Sequence, residues 1–96
     1  MDMVQLRVML EERRGNVSIE DWAFEINKVV RPPDNQRLKV VTLYSYLNGT
    51  RNLTGKGARL LAQYFYQQGD FDMVNAISQM TLGIPYPAPN GGGSKN

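Results

Sequence analysis

Ninety-six residues with 42% apolar content and a net charge of +2 are enough for one small domain with a single modest core. The chain contains neither cysteine nor histidine. That excludes disulfides, thiolate metal sites, most zinc sites and every His-based catalytic triad. No metal or cofactor is expected, and no small-molecule ligand is evident. No apolar run approaches the ~18 residues of a membrane span, and the N-terminus has no signal-peptide pattern.

Charge is segregated along the chain. Between Lys28 and Arg59 lie seven basic residues (Lys28, Arg31, Arg37, Lys39, Arg51, Lys56, Arg59) and one acid, Asp34, so this window is +6 while the remainder is −4. A basic block of this kind is the electrostatic footprint of a polyanion-binding face, although a solvated surface gives the same count.

Residues 1–14 read as a first helix. Met3, Leu6 and Leu10 share one side, Val4 and Val8 could widen it, and Arg13 and Arg14 suit the C-terminal end of the dipole before Gly15. A second helix starts at Ser18, an N-cap with Asp21 three residues on and a Val17/Trp22 staple. Ile19, Trp22, Ala23, Ile26, Val29 and Val30 form its apolar face, and Pro32-Pro33 ends it at or before Arg31. Residues 32–37 form a loop or a loop with a new helix start.

Helical spacing returns from about Leu38, with Leu43, Tyr46 and Leu47 inward. Lys39, Thr42 and Ser45 lie on the other side with Val41, and Tyr44 sits near the boundary. Val40 is expected to pack inward. Asn48-Gly49 stops this helix. A polar, basic loop follows, with Thr54 as the next N-cap candidate. The fourth helix turns Ala58, Leu61, Ala62 and Phe65 inward, and Gly55 and Gly57 at its start permit close approach of a neighbouring helix or a phosphate. Asp70 caps a fifth helix running to about Leu82. Phe71, Val74, Ile77 and Ser78 make one stripe, and Met73, Met80, Leu82 and Ile84 fall off it. The surplus has two readings: a dimer contact, or a terminal helix wedged between two others. Residues 1–84 are thus expected to form an all-α, compact bundle of about five helices, and Pro/Gly-rich residues 85–96 a flexible tail whose GGGSKN ending suits a cloning remnant.

Ile19-Glu20-Asp21-Trp22-Ala23, then Leu38, then Leu43-Tyr44-Ser45-Tyr46-Leu47-Asn48-Gly49, resembles the helix-turn-helix of the lambda repressor/Cro family. Ala23 matches the small residue inside the first helix of that motif, Leu38 the apolar residue at the turn, Leu43 and Tyr46 the inward pair of the recognition helix. The likeness covers about residues 17–65, and its last part, Leu47 to Phe65, includes the Leu-Leu-Ala of the fourth helix. Asn27 stands where the family has glycine, and the separation of Ala23 from Leu43 is longer than the family's, so the turn is expanded near Lys28–Arg37.

The resemblance implies a lambda repressor-like fold and sequence-specific binding of double-stranded DNA, as in a transcriptional repressor of phage, plasmid or bacterial origin, in the cytoplasm on the nucleoid. It implies base contacts from Lys39, Val41, Thr42, Tyr44 and Ser45 in a major groove. Phosphate contacts are expected from Arg31, Arg37, Asn48, Thr50, Arg51, Asn52, Thr54 and Lys56. A homodimer on a near-palindromic site is expected, with Met73, Ile77, Met80, Leu82 and Ile84 at its interface. The alternative is a protein-interaction module of antitoxin or anti-repressor type. An enzyme is not expected: Ser18, Ser45 and Ser78 have no histidine partner, and Thr54-Gly55-Lys56-Gly57 lacks the strand and the Lys-Ser/Thr ending of a phosphate loop.

Overall fold

The computed structural model describes residues 2–53 and 55–82, the last of these by its backbone alone. Among them all regular structure is helical: α1 (Met3–Arg14), α2 (Ile19–Val30), a 3-10 turn (Asp34–Gln36), α3 (Val40–Asn48), α4 (Gly55–Gln67) and α5 (Phe71–Ile77), which continues as a π-helical turn over Ser78–Leu82. The expectations for Thr54, the Leu82 side chain, Ile84 and the tail fall outside the described residues. No described helix is long and apolar enough to cross a membrane.

The starts of α1 and α2 have local causes. Asp2 caps α1 reciprocally with Gln5: Asp2 Oδ1 accepts from Gln5 N at 2.9 Å, and Gln5 Oε1 accepts from Asp2 N at 2.9 Å. Ser18 Oγ accepts from Asp21 N at 3.1 Å, so the expected cap of α2 is present. At the far end of α2, Arg31 adopts a left-handed conformation (φ 56°) before Pro32-Pro33.

α4 is the central element. It packs on α2, α5 and the π-helical turn, while α3 packs on α1 and α2. Its Ala58, Leu61, Ala62 and Phe65 are buried as expected, joined by Leu60 and Tyr64. Phe65 meets Trp22 and Tyr64 edge-on, at centroid distances of 6.3 and 5.1 Å. A fully buried side chain such as Leu61 contributes about 1.5–3 kcal/mol.

Three expectations are corrected here. Leu6 and Leu10 are buried, but Val4 and Val8 are on the opposite side of α1, in solvent, because each is two residues from Leu6, a rotation of about half a turn, while the four residues between them bring the two valines onto one face. Phe71 is largely outside the core and rests edge-on against Tyr66 at 5.7 Å. Met73 and Ile77 have no exposed surface, so they hold α5 in its own chain and offer nothing to a second copy. The wedge reading of α5 explains them, for it lies against both α1 and α4. Met80 is half-buried on the same core.

The α1–α5 contact carries an ion pair. Arg13 Nε donates to Asp70 Oδ2 at 2.9 Å and Nη2 to Oδ1 at 3.3 Å, while Oδ1 also accepts from Met73 N at 3.4 Å and so caps α5.

Candidate functional site

α3 begins at Val40, two residues later than expected. Leu38 is buried but lies outside the helix, and Lys39 is its extended N-cap residue, with no side-chain capping bond. Leu43, Tyr46 and Leu47 face the core as expected. The outward side consists of Val40, Val41, Tyr44 and Asn48; Val41 is 66% and Tyr44 53% exposed. Val40 was expected inward, and its spacing of three and seven from Leu43 and Leu47 puts it on their side, yet as the first residue of α3 it is exposed. Thr42 and Ser45 are half-buried. Ser45 Oγ donates to Val41 O at 2.9 Å, which commits its proton to its own helix and leaves its oxygen as an acceptor.

The loop beyond α3 is braced from within. Gly49 takes a left-handed conformation (φ 84°). Asn48 Oδ1 accepts from Thr50 N at 2.8 Å and from the Thr50 hydroxyl, so these two residues bond to each other. Arg51 N donates to Ser45 O at 3.2 Å. Leu53 is buried and pins the loop to the core, leaving Arg51 and Asn52 exposed. The Arg7 guanidinium lies against Gly49, 3.1–3.3 Å from where a Cβ would stand, and puts a cation at the C-terminal end of the α3 dipole. Burial pushes the Tyr46 phenol up, and the nearby Arg51 cation opposes that shift.

The expanded turn is clamped by Asn27. This residue is buried; its Nδ2 donates to Leu38 O at 2.9 Å and its Oδ1 accepts from Leu38 N at 2.8 Å. The carboxamide thus satisfies both backbone groups of the residue that leads into α3.

Three surface hollows surround that turn. The first is lined by Phe24, Asn27, Arg37, Lys39 and Val40 together with the carboxylates Glu20 and Asp34. The second brings together Gln36, Arg37, Lys39, Thr42, Tyr46 and Lys56. The third contains Arg31, Gln36, Lys56, Arg59 and Gln63. Arg37 and Lys39 are common to the first and second, Gln36 and Lys56 to the second and third, so the surface is continuous. No carboxylate lines the second or third. Among the described residues, the ion pairs belong to Arg13 and Arg14 of α1, and none involves a cation of the basic block.

Of the residues singled out in the sequence, Arg31, Arg37, Lys39, Thr42 and Lys56 therefore come together around the turn. Val41 and Tyr44 are on the outward side of α3, and Asn48, Thr50, Arg51 and Asn52 sit at its other end. Arg59, Arg7, Phe24 and Asn27 were not among the expected site residues. Arg59 was visible in the basic count, and its spacing of three from Lys56 put both on one face of α4. Nothing in the sequence linked Arg7 to Gly49.

Comparison with protein-family models, curated proteins and solved structures finds no match. Nor do the described residues hold a group of three or more His, Cys, Asp or Glu suited to a metal ion. The surface around the turn presents cations, hydroxyls and exposed apolar groups.

Proposed function

We propose that this chain is a sequence-specific double-stranded DNA-binding domain, a transcriptional repressor with the lambda repressor/Cro helix-turn-helix fold and an expanded turn. α2 and α3 are the two helices of the motif, and residues 31–39 are the turn. The observation that carries this reading is the outward side of α3: Val41 and Tyr44 stand in solvent on the helix that follows Lys39, and the hollow shared by Arg37, Lys39, Thr42 and Lys56 is lined by no carboxylate. Packing gives no reason to keep Val41 and Tyr44 there, whereas a major groove does. The Val41 methyls suit a thymine methyl, Lys39 reaches guanine O6 and N7, and Thr42 and the Tyr44 hydroxyl bond to base edges. Arg37, Arg51, Asn52 and Lys56 neutralise or bond to phosphates and set the register. Activity on DNA places the protein in the cytoplasm on the nucleoid and requires no catalysis. A module of this size gains from two-fold pairing on half-sites about one helical turn apart. Met73 and Ile77 take no part in that pairing.

The protein-interaction reading draws on one feature, Phe24, which is 65% exposed beside Val40. Selection from a random duplex pool, followed by affinity measurement at two salt concentrations, separates the two. DNA binding predicts an enriched sequence and an affinity falling with salt at about 0.9 log unit per log salt for each phosphate neutralised. Absence of both enrichment and salt dependence would remove the DNA reading in favour of the protein partner.

A further inference from the structure

We propose that the hollow walled by Arg31, Lys56 and Arg59 binds a backbone phosphate of the nucleic acid, outside the stretch that α3 reads; this rests on the duplex-binding reading and adds a second anchor to it. Three separate elements build the hollow. Arg31 comes from the C-terminal end of α2, Lys56 and Arg59 from one face of α4, and Gln36 from the 3-10 turn. Gln63 adds a second carboxamide and Pro33 a rigid wall. No carboxylate lines it.

Two features of the hollow work against the stability of the free chain. Lys56 and Arg59, three residues apart on a helix, repel each other. Arg31 is the one non-glycine among the described residues with a positive φ, a conformation that L side chains resist. Together they hold three cations around one concavity, an arrangement that a multiply charged oxyanion relieves through charge-assisted hydrogen bonds. A polymer suits it better than a free ion. The hollow is continuous, through Gln36 and Lys56, with the one leading past Arg37 to Lys39 and Thr42, so successive phosphates of one strand can occupy both.

The test uses the selected duplex of about two helical turns and a scrambled duplex of equal length, titrated over a salt series with the full chain. Arg59→Gln and Arg31→Asn are the variants, asparagine being tolerant of the left-handed conformation; thermal melting checks that each is folded. Each variant is expected to flatten the salt dependence by about 0.9 log unit per log salt, about fivefold in affinity near 0.15 M. Both duplexes are expected to weaken equally, so that sequence preference is retained. Folded variants with the wild-type slope and affinity overturn the proposal while leaving the DNA reading intact. Inorganic phosphate is the second probe. Saturable phosphate binding that is lost in Arg59→Gln without change in duplex affinity reassigns the hollow to a free anion and overturns the polymer assignment. A wild-type chain that binds neither duplex fails the functional reading itself, and the hollow's role on a duplex falls with it.

Discussion

The Asn27 carboxamide bonds to both backbone groups of Leu38, at 2.8 and 2.9 Å, and so joins the body of α2 to the residue that leads into α3. The segment between them holds two prolines and a single 3-10 turn, which by itself does not fix the direction of the next helix. The clamp supplies that fixation. Asn27→Leu leaves the Leu38 N–H and C=O buried without partners, with an expected loss of about 3 kcal/mol by urea unfolding. Asn27→Asp places a carboxylate oxygen against the Leu38 carbonyl. The new carboxyl is then held above its ordinary range in the folded state. Its neutral form, which can donate to Leu38 O, is the stable one; stability is greatest below the unfolded carboxyl value and is lost as pH rises through the folded one. A pH-independent Asn27→Asp protein would show that the second bond contributes nothing.

The pair Arg13–Asp70 predicts the opposite pH dependence. The hydrogen bond from Arg13 lowers the Asp70 carboxyl below its usual range, against the effect of its partial burial. Its contribution is therefore complete above the unfolded carboxylate value, ~3.9, and disappears as pH falls below that towards the folded value. Asp70→Ala removes pair and cap together, an expected cost of about 1–2 kcal/mol near neutral pH. Asp70→Asn retains an acceptor for Met73 N and is expected to recover about half of this, with a shallower acid limb in the melting curves.

Local signals explain why some of this was readable in the chain. Ser18 with Asp21, Pro32-Pro33 and Asn48-Gly49 act on neighbours within a few residues, so the start of α2 and the ends of α2 and α3 follow from adjacent side chains. Asn27 departs from the glycine of the family pattern, but its partner is eleven residues away and its role needs the folded turn. The start of α3 shifted for the same reason. Leu38 satisfies helical spacing, yet its backbone is committed to Asn27. In α5, Met73 fell off one apolar stripe and looked like surplus surface; it is buried because that helix meets α1 as well as α4, a fact of tertiary packing. The basic block was legible as a count, and the meeting of five of its seven members (Arg31, Arg37, Lys39, Lys56 and Arg59) on adjoining hollows was not.

Gly57 of α4 stands against the Tyr46 ring of α3. The sequence left open whether glycine there admits a helix or a phosphate; a Cβ at this position would stand 2.0 Å from Tyr46 Oη and 2.8 Å from its Cζ. Alanine for glycine inside an ordinary helix gains about 1 kcal/mol. Gly57→Ala is instead expected to lose about 1–3 kcal/mol, since the buried Tyr46 ring must move to admit the methyl. Tyr46→Phe in the Gly57→Ala background removes the nearest atom and recovers part of the loss. A double-mutant cycle by chemical denaturation measures the coupling. Additive effects would mean that the two residues do not press on each other.

Val41 and Tyr44 separate the reading of sequence from the holding of backbone. Both are exposed, so Val41→Ala and Tyr44→Ala are each expected to change stability by less than about 0.5 kcal/mol. If α3 lies in a major groove, loss of the Val41 methyls lowers the preference for thymine at one position, and Tyr44→Ala relaxes the preference at another, each by about 1–3 kcal/mol. Arg51 is at the opposite end of α3, in the loop, and its removal should act differently. Arg51→Ala weakens all duplexes alike and reduces the salt slope by about 1. Competition binding against single-base variants of the selected site, repeated for each protein, gives both quantities. Should Val41→Ala and Tyr44→Ala enrich the wild-type sequence unchanged, the outward side of α3 has some other partner, and its apolar groups would belong to a protein contact.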